Sequence, residues 1–473
     1  MKQLDKLIEH IINRTNINLR ERDFDVAPFV RTVVPKEQFA RFYAFYGLSV
    51  HHPVHFRFER SSLAGSYFLG KCFVDSSVLY KSDVRGDELK AAGKIFRHKG
   101  LSIALQDDEV IRIKDSFLVK TLVHSNSHDP ERPEEFLIQN TVSMHYANIH
   151  GSPMEGSFLG PFATVDLTWL HDCVIGRYAY VQTGELAYNT VEPGSVCVRA
   201  NGAFAFEYRF PTEVLDRYVT LKEGGAPGGL LAEFIEARKD DFQKVFETVP
   251  SCRDIPVPPS AALSRYAVVK GNVHVDENVL VAQRAYVEES WLGPRSNVQE
   301  NCYIVHSRLD GSNVTAHGGK VIHASLAENI FVGFNAFLRG NPDCSLKIGR
   351  ECIVMPHTII DLEEPVEIPP RHLVWGYIRN ESDLARHSVS LDRLCEVDGV
   401  VEIGDMRFRG SGSSFVGAFR KRIQSILEAN GAFFDGQGRH GHAQKGRDIA
   451  FNLIQPYPQG EFQGIYPTMD IRS

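Results

Sequence analysis

The chain has 473 residues, with 52 Lys and Arg against 59 Asp and Glu, 43 % apolar residues and 10 % aromatics. This is enough apolar material for a packed core and excludes a disordered chain, and a net charge of −7 excludes a general nucleic-acid binder, which needs surplus Lys and Arg on one face. The 8 cysteines are dispersed without a CxxC pair and no run of ~18 apolar residues occurs, which argues against a disulfide or thiolate-zinc framework and against a membrane span and predicts a reduced, cytoplasmic protein.

Residues 1–55 form a helical N-terminal segment, because Leu4, Leu7, Ile8, Ile11 and Ile12 recur at helical spacing. Glu9 and His10 interrupt those aliphatics, so no cleavable apolar leader is predicted there. Residues 56–205 have the texture of short strands, broken by an excursion over 88–108. Residues 206–260 form a helical linker: Leu231, Phe234, Ile235, Phe242, Val245, Phe246 and Val249 predict one amphipathic helix over 230–249. Gly224-Gly-Ala-Pro-Gly-Gly229 leads into it, and Pro250 and Pro256-Val-Pro-Pro259 lead out.

Residues 261–380 carry the clearest repeat. Val269, Val275, Val281 and Val287 fall every six residues, and Leu292, Val298 and Ile304 continue after a one-residue slip. The step returns in Leu326, Val332 and Leu338 and again in Ile348, Val354 and Ile360. A period of six fits neither a 3.6-residue helix nor an alternating strand. It fits short strands separated by turns and wound so that each coil stacks its aliphatics on the next. An ordinary run of sandwich strands would not hold the six-residue step so long. His150-Gly-Ser-Pro-Met-Glu-Gly-Ser-Phe-Leu-Gly-Pro-Phe-Ala163 overlays His323-Ala-Ser-Leu-Ala-Glu-Asn-Ile-Phe-Val-Gly-Phe-Asn-Ala336 at an offset of 173 residues. The fold class is therefore mainly β, with two related solenoid halves in one chain. Residues 381–473 add a C-terminal helix from near Ser414 through Phe415, Phe419, Ile423, Ile426 and Leu427, and then an extended arm rich in Gly and Pro. Arg409-Gly-Ser-Gly-Ser-Ser-Phe415 leads into that helix and is most simply its capped start, since it lacks the Gly-Lys-Ser/Thr of a P-loop.

The first half holds the sharpest chemistry. Ser76-Ser-Val-Leu-Tyr-Lys-Ser-Asp-Val-Arg-Gly-Asp87 is followed by His128, then by His145-Tyr-Ala-Asn-Ile-His150-Gly151. His128 and His145 are 17 apart, close to one turn of three hexads, and His145 and His150 are five apart. Imidazoles converging at a corner suit a zinc-type divalent ion, which lowers the pKa of bound water toward ~7. The alternative is a set of polar corner residues or a subunit contact.

An Arg-Gly-Asp after Ser-Val-Leu-Tyr, then a His, then His-x4-His-Gly resembles the γ-class carbonic anhydrase family of hexapeptide-repeat proteins. Asn297-Val-Gln299 before Val305-His306, and Val366-Glu-Ile-Pro-Pro-Arg-His-Leu-Val-Trp-Gly376, are similar to further segments of that family. The resemblance implies left-handed β-helices, a homotrimer and a metal (zinc, or iron or cobalt) held between subunits. Carried over, it implies Arg85 and Asp87 as the pair that organises the site, and His128, His145 and His150 as ligands. His124, after Leu122-Val123, fits the apolar context of the first ligand better than His128 but needs a loop before His145. In the second half Gln299, His306, His317 and His323 are the matching candidates, in a copy that lacks Arg-Gly-Asp.

The same solenoid commonly serves acyl transfer. In that alternative coenzyme A lies in a groove between subunits and one of His306, His317 or His323 is the general base toward a small-molecule hydroxyl or amine. A third alternative is a non-enzymatic trimeric scaffold. None of the three involves nucleic acid or a membrane.

Overall fold

The computed structural model describes residues 1–98, 101–126, 135–247, 255–438 and 440–472. The chain divides into two units, one of Met1–Ser195, Leu215–Gly229 and Ile449–Ser473, the other of Val196–Val214 and Leu230–Asp448. Each contains a left-handed parallel β-helix, as the hexad pattern and the resemblance led us to expect.

In the first unit, parallel strands two to six residues long stack into three sheets. Val142, Phe158, Val174 and Thr190 pair in register, which makes the regular rung 16 residues long. Alternation within each strand sends successive side chains to opposite faces. Val84, Val123, Ile149, Val165 and Val181 thus form one buried column inside the coil. Burying each aliphatic contributes roughly 1.5–3 kcal/mol, and the stacking repeats that gain on every rung. Two insertions interrupt the rungs. One carries the antiparallel hairpin of Ile95–His98 and Leu101–Ala104, inside the expected excursion. The other includes residues 127–134, outside the described ones.

The N-terminal helix Lys2–Leu19 packs Leu4, Ile8, Ile11 and Ile12 against Val78, Phe117, Val142 and Phe158, covering one sheet. The C-terminal arm is extended, as its composition suggests. Ala450–Ile454 pairs antiparallel with Ala44–Leu48, and Met469–Arg472 pairs with His55–Glu59.

In the second unit the hexad aliphatics occupy the three faces in turn. Val269, Val287, Ile304, Val321, Leu338, Ile360 and Ile378 stack on one face, at a regular rung of 17 residues between Val287 and Leu338. The helix expected over 230–249 is instead two, Leu230–Glu236 and Lys239–Glu247. The break follows from Arg238, whose N–H bonds the Ile235 carbonyl at 3.0 Å and whose guanidinium stacks on Phe234 at 3.8 Å. That turn lets Phe234 meet Tyr303 and Phe242 meet Tyr286 on separate rungs. The C-terminal helix spans Gly412–Ala429, and Ser411 caps it by accepting from the Ser414 N–H at 3.2 Å, so the Gly-Ser segment is a helix start. Among the described residues no helix is long and apolar enough to cross a membrane, and their cysteines are all free thiols.

Candidate functional site

The column of inward valines in the first unit determines the candidate site. Each residue after it points the other way, so Arg85, His124, His150, Asp166 and Gln182 fall on one outward ladder across five rungs. Arg85 and Asp87, two apart on one strand, make a fork through two hydrogen bonds of 3.1 and 2.7 Å. Gly86 between them has a packing role: a Cβ there would lie 2.4 Å from the Lys71 carbonyl oxygen of the adjacent rung. We expect Gly86→Ala to cost about 1–3 kcal/mol, read as an earlier transition of this unit in urea.

On the next rungs His124 stands edge-on to His150, ring centroids 5.1 Å apart, with its Nε2 3.7 Å from the Glu88 carboxylate. His150 Nδ1 lies 2.9 Å from Asp166 Oδ1, and the Tyr180 hydroxyl donates to Asp166 Oδ2 at 2.5 Å. A carboxylate only accepts, so the Nδ1 nitrogen of His150 carries the proton and its lone pair is on Nε2. A buried carboxylate orienting an imidazole is the arrangement that prepares a histidine for proton transfer. Asp166 and Tyr180 went unnoticed in sequence, although Asp166 follows His150 by one 16-residue rung.

The other nominated ligands of this half fall elsewhere. His145 sits at a different corner, before the left-handed residue Tyr146 (φ 63°). Burial, with help from the Lys120 charge, pushes its pKa down to about 3, and its buried Nδ1 has no hydrogen-bond partner among the described residues. Joining it with His150 in one ligand set is therefore a correction to make: five residues of spacing span a turn, and the two rings leave the coil on different sides. His128 lies outside the described residues. The 17-residue spacing does not measure a coil here, because an insertion separates His124 from its register partner His150.

In the second unit Glu289, His306, His323 and Gly340 occupy one corner column, each N–H bonding the carbonyl of the rung before. The imidazoles of His306 and His323 stack at 4.8 Å and 8°. They line an open cleft of about 530 Å³ with Trp291, Arg308 and Asn341. His274 stacks on Trp291 at 3.6 Å, and Arg308 lies 4.9 Å from the same ring. Burial, then the His306 charge, lowers the pKa of His323, so it is neutral at pH 7. His317 is not in the cleft; it is buried at the next corner, its Nδ1 2.9 Å from Glu300, with its backbone N–H donating to Gln299 at 3.2 Å.

The overlay of the two halves needs adjusting at its first residue. Phe158 and Phe331, and Gly160 and Gly333, keep the offset of 173 and make the same ladder bonds. His323, however, occupies the corner held in the first half by Gly151, since both bond the carbonyl of the previous rung. The arm between that corner and the next is one residue longer in the second half. His150 and His323 are consequently not equivalent.

Comparison with known proteins places these features. A family profile described as "Hexapeptide repeat including loop" matches residues 101–223. The crystal structure of a provisionally assigned acetyltransferase from Desulfovibrio desulfuricans G20 is 55 % identical, with a TM-score of 0.93, covering 100 % of this chain and 99 % of that one. A provisionally assigned acetyltransferase from Bacillus cereus matches at 12 % identity and TM-score 0.20, covering 37 % of this chain and 87 % of that one. The UDP-N-acetylglucosamine acyltransferase from Campylobacter jejuni matches at 11 % and 0.19, covering 55 % and 70 %. No curated protein sequence matches. With the repeat on the page, and near-complete coverage of the Desulfovibrio protein at more than half identity, this chain belongs to the hexapeptide-repeat family.

Proposed function

We propose that the protein transfers an acyl group from acyl-coenzyme A to the hydroxyl or amine of a small molecule, with His150 as general base. The observation that carries this reading is the His150–Asp166–Tyr180 chain of hydrogen bonds at 2.9 and 2.5 Å; the name of the Desulfovibrio relative supports it. His150 Nε2 takes the acceptor's proton as its oxygen or nitrogen attacks the thioester carbon. The C–S bond of the resulting adduct then breaks, and the proton on His150 passes to the departing thiolate. Asp166 stabilises the imidazolium formed between the two steps.

Thiol release from acetyl-coenzyme A, measured over a panel of amine and hydroxyl acceptors, tests the reading. An acceptor-dependent rate that disappears in His150→Gln supports it; an acceptor-dependent rate that survives in that variant removes His150 from the chemistry.

A second reading has an observation of its own. His124 and His150 are two of the four nominated ligands of the first half, and Asp166 behind His150 matches the carboxylate that commonly orients a metal-binding imidazole. The pair would hold a zinc-type ion, which when bound supplies acidified water. On this reading, elemental analysis of protein purified without chelator or nickel finds about one ion per chain, lost in His124→Ala/His150→Ala. Metal-free protein that still transfers acetyl groups discards it.

A further inference from the structure

The corner cleft of the second unit lies outside the chemistry assigned to His150, and its geometry narrows what it could take. His306 and His323 present two imidazoles on successive rungs, stacked almost parallel at 4.8 Å, and neither ring is hydrogen-bonded among the described residues. Two nitrogens on one zinc ion lie at most ~4.2 Å apart. Parallel rings hold like nitrogens near the stacking distance, too far apart for that. Neither residue belongs to a group of three ligating side chains among the described residues. An oxyanion has no such limit, because each of its oxygens accepts its own hydrogen bond of ~2.7–2.9 Å from a separate donor.

The rest of the cleft favours an anion as well. Arg308 stands on the strand that follows His306, held beside Trp291 and paired to Asp310 at 2.7 Å. Glu289 is the carboxylate of the corner column, and it is engaged by the backbone N–H of Asn272 at 3.0 Å. The far wall is the inserted turn at residues 340–345, folded on itself by Asn341 Oδ1, which accepts the N–H groups of Asp343 and Cys344. That insertion lengthens this rung beyond its neighbours and adds the hydroxyl of Ser345 to that of Ser325. A cleft of about 530 Å³ is within the ~300–1,000 Å³ of small-molecule sites and far exceeds a lone ion.

We propose that this cleft binds a phosphorylated small molecule, with His306, His323 and Arg308 on the phosphate and the Asn341–Ser345 side on its polar remainder. The phosphate could belong to an acceptor, such as a sugar phosphate or nucleotide, or to coenzyme A; the shared chemistry is the phosphate.

Titration calorimetry on the full chain at low salt separates these cases, using inorganic phosphate, glucose 1-phosphate, ADP and coenzyme A, with glucose and adenosine as unphosphorylated controls. At least one phosphorylated probe binds, its control does not, and the His306→Asn/His323→Asn variant binds it at least tenfold more weakly. Tighter binding of glucose 1-phosphate or ADP than of coenzyme A identifies the acceptor as the source, and the reverse order identifies the donor. Binding of no probe, equal binding of controls, or unchanged binding in the variant overturns the proposal. If the variant melts early, the imidazole Cε1–H signals of the wild-type protein decide: the probe shifts those of His306 and His323, and their failure to move is equally fatal.

Discussion

In the His150→Gln protein kcat/KM for acetyl transfer falls by about 10²–10⁴-fold, the usual contribution of a positioned general base. Glutamine keeps much of the bulk and cannot accept and return a proton, so the loss reports chemistry and not collapse of the ladder. Asp166→Asn tests the positioning of the base. Its amide can donate to Nδ1, which moves the ring proton to Nε2 and removes the base from the side facing the acceptor. The deficit therefore falls on kcat while KM for acetyl-coenzyme A stays near the wild-type value. Tyr180→Phe leaves Asp166 with one donor fewer and has a smaller effect of the same kind. If Asp166→Asn raises KM and leaves kcat alone, the carboxylate serves binding and the assignment of His150 fails with it.

Acid weakens the first unit through His145. The folded state holds this imidazole neutral, with a pKa pushed down to about 3 by burial and then by Lys120, whereas the unfolded chain protonates it near the ordinary ~6.5. The unfolded state thus binds the extra proton. The stabilisation is complete above pH ~6.5 and is lost as the pH falls from there through about 3, by up to ~5 kcal/mol in total. At pH 4.5 roughly half of that is gone. His145→Leu replaces the buried, unpartnered Nδ1 with an apolar group and flattens this part of the profile. Urea transitions of wild type and variant at pH 7.5, 5.5 and 4.5 provide the comparison. Parallel losses in the two proteins would show that His145 is not the responsive group. The same burial that makes it acid-sensitive explains why it stands apart from the His124–His150 pair.

The amino-acid pattern by itself determined the coil. Aliphatics six apart must reach three faces in turn, and only a stacked solenoid buries them all; Val269, Val275 and Val281 do so. Helical spacing likewise marked the helix that starts at Gly412, because its apolar stripe and the Ser411 cap are local features. Arg85, Asp87, His124 and His150 were legible as residue types suited to one site. Which of them meet was decided by the tertiary structure. Register across parallel rungs sets the neighbours, and an insertion of any length between His124 and His150 leaves that register intact while destroying the spacing in sequence. Asp166 became visible only when its rung was laid beside that of His150, and His145 left the group because a turn of the coil aimed it at another corner. The physical reason is common to both: hydrogen bonds between strands fix position along the axis, whereas sequence distance counts every residue of every loop.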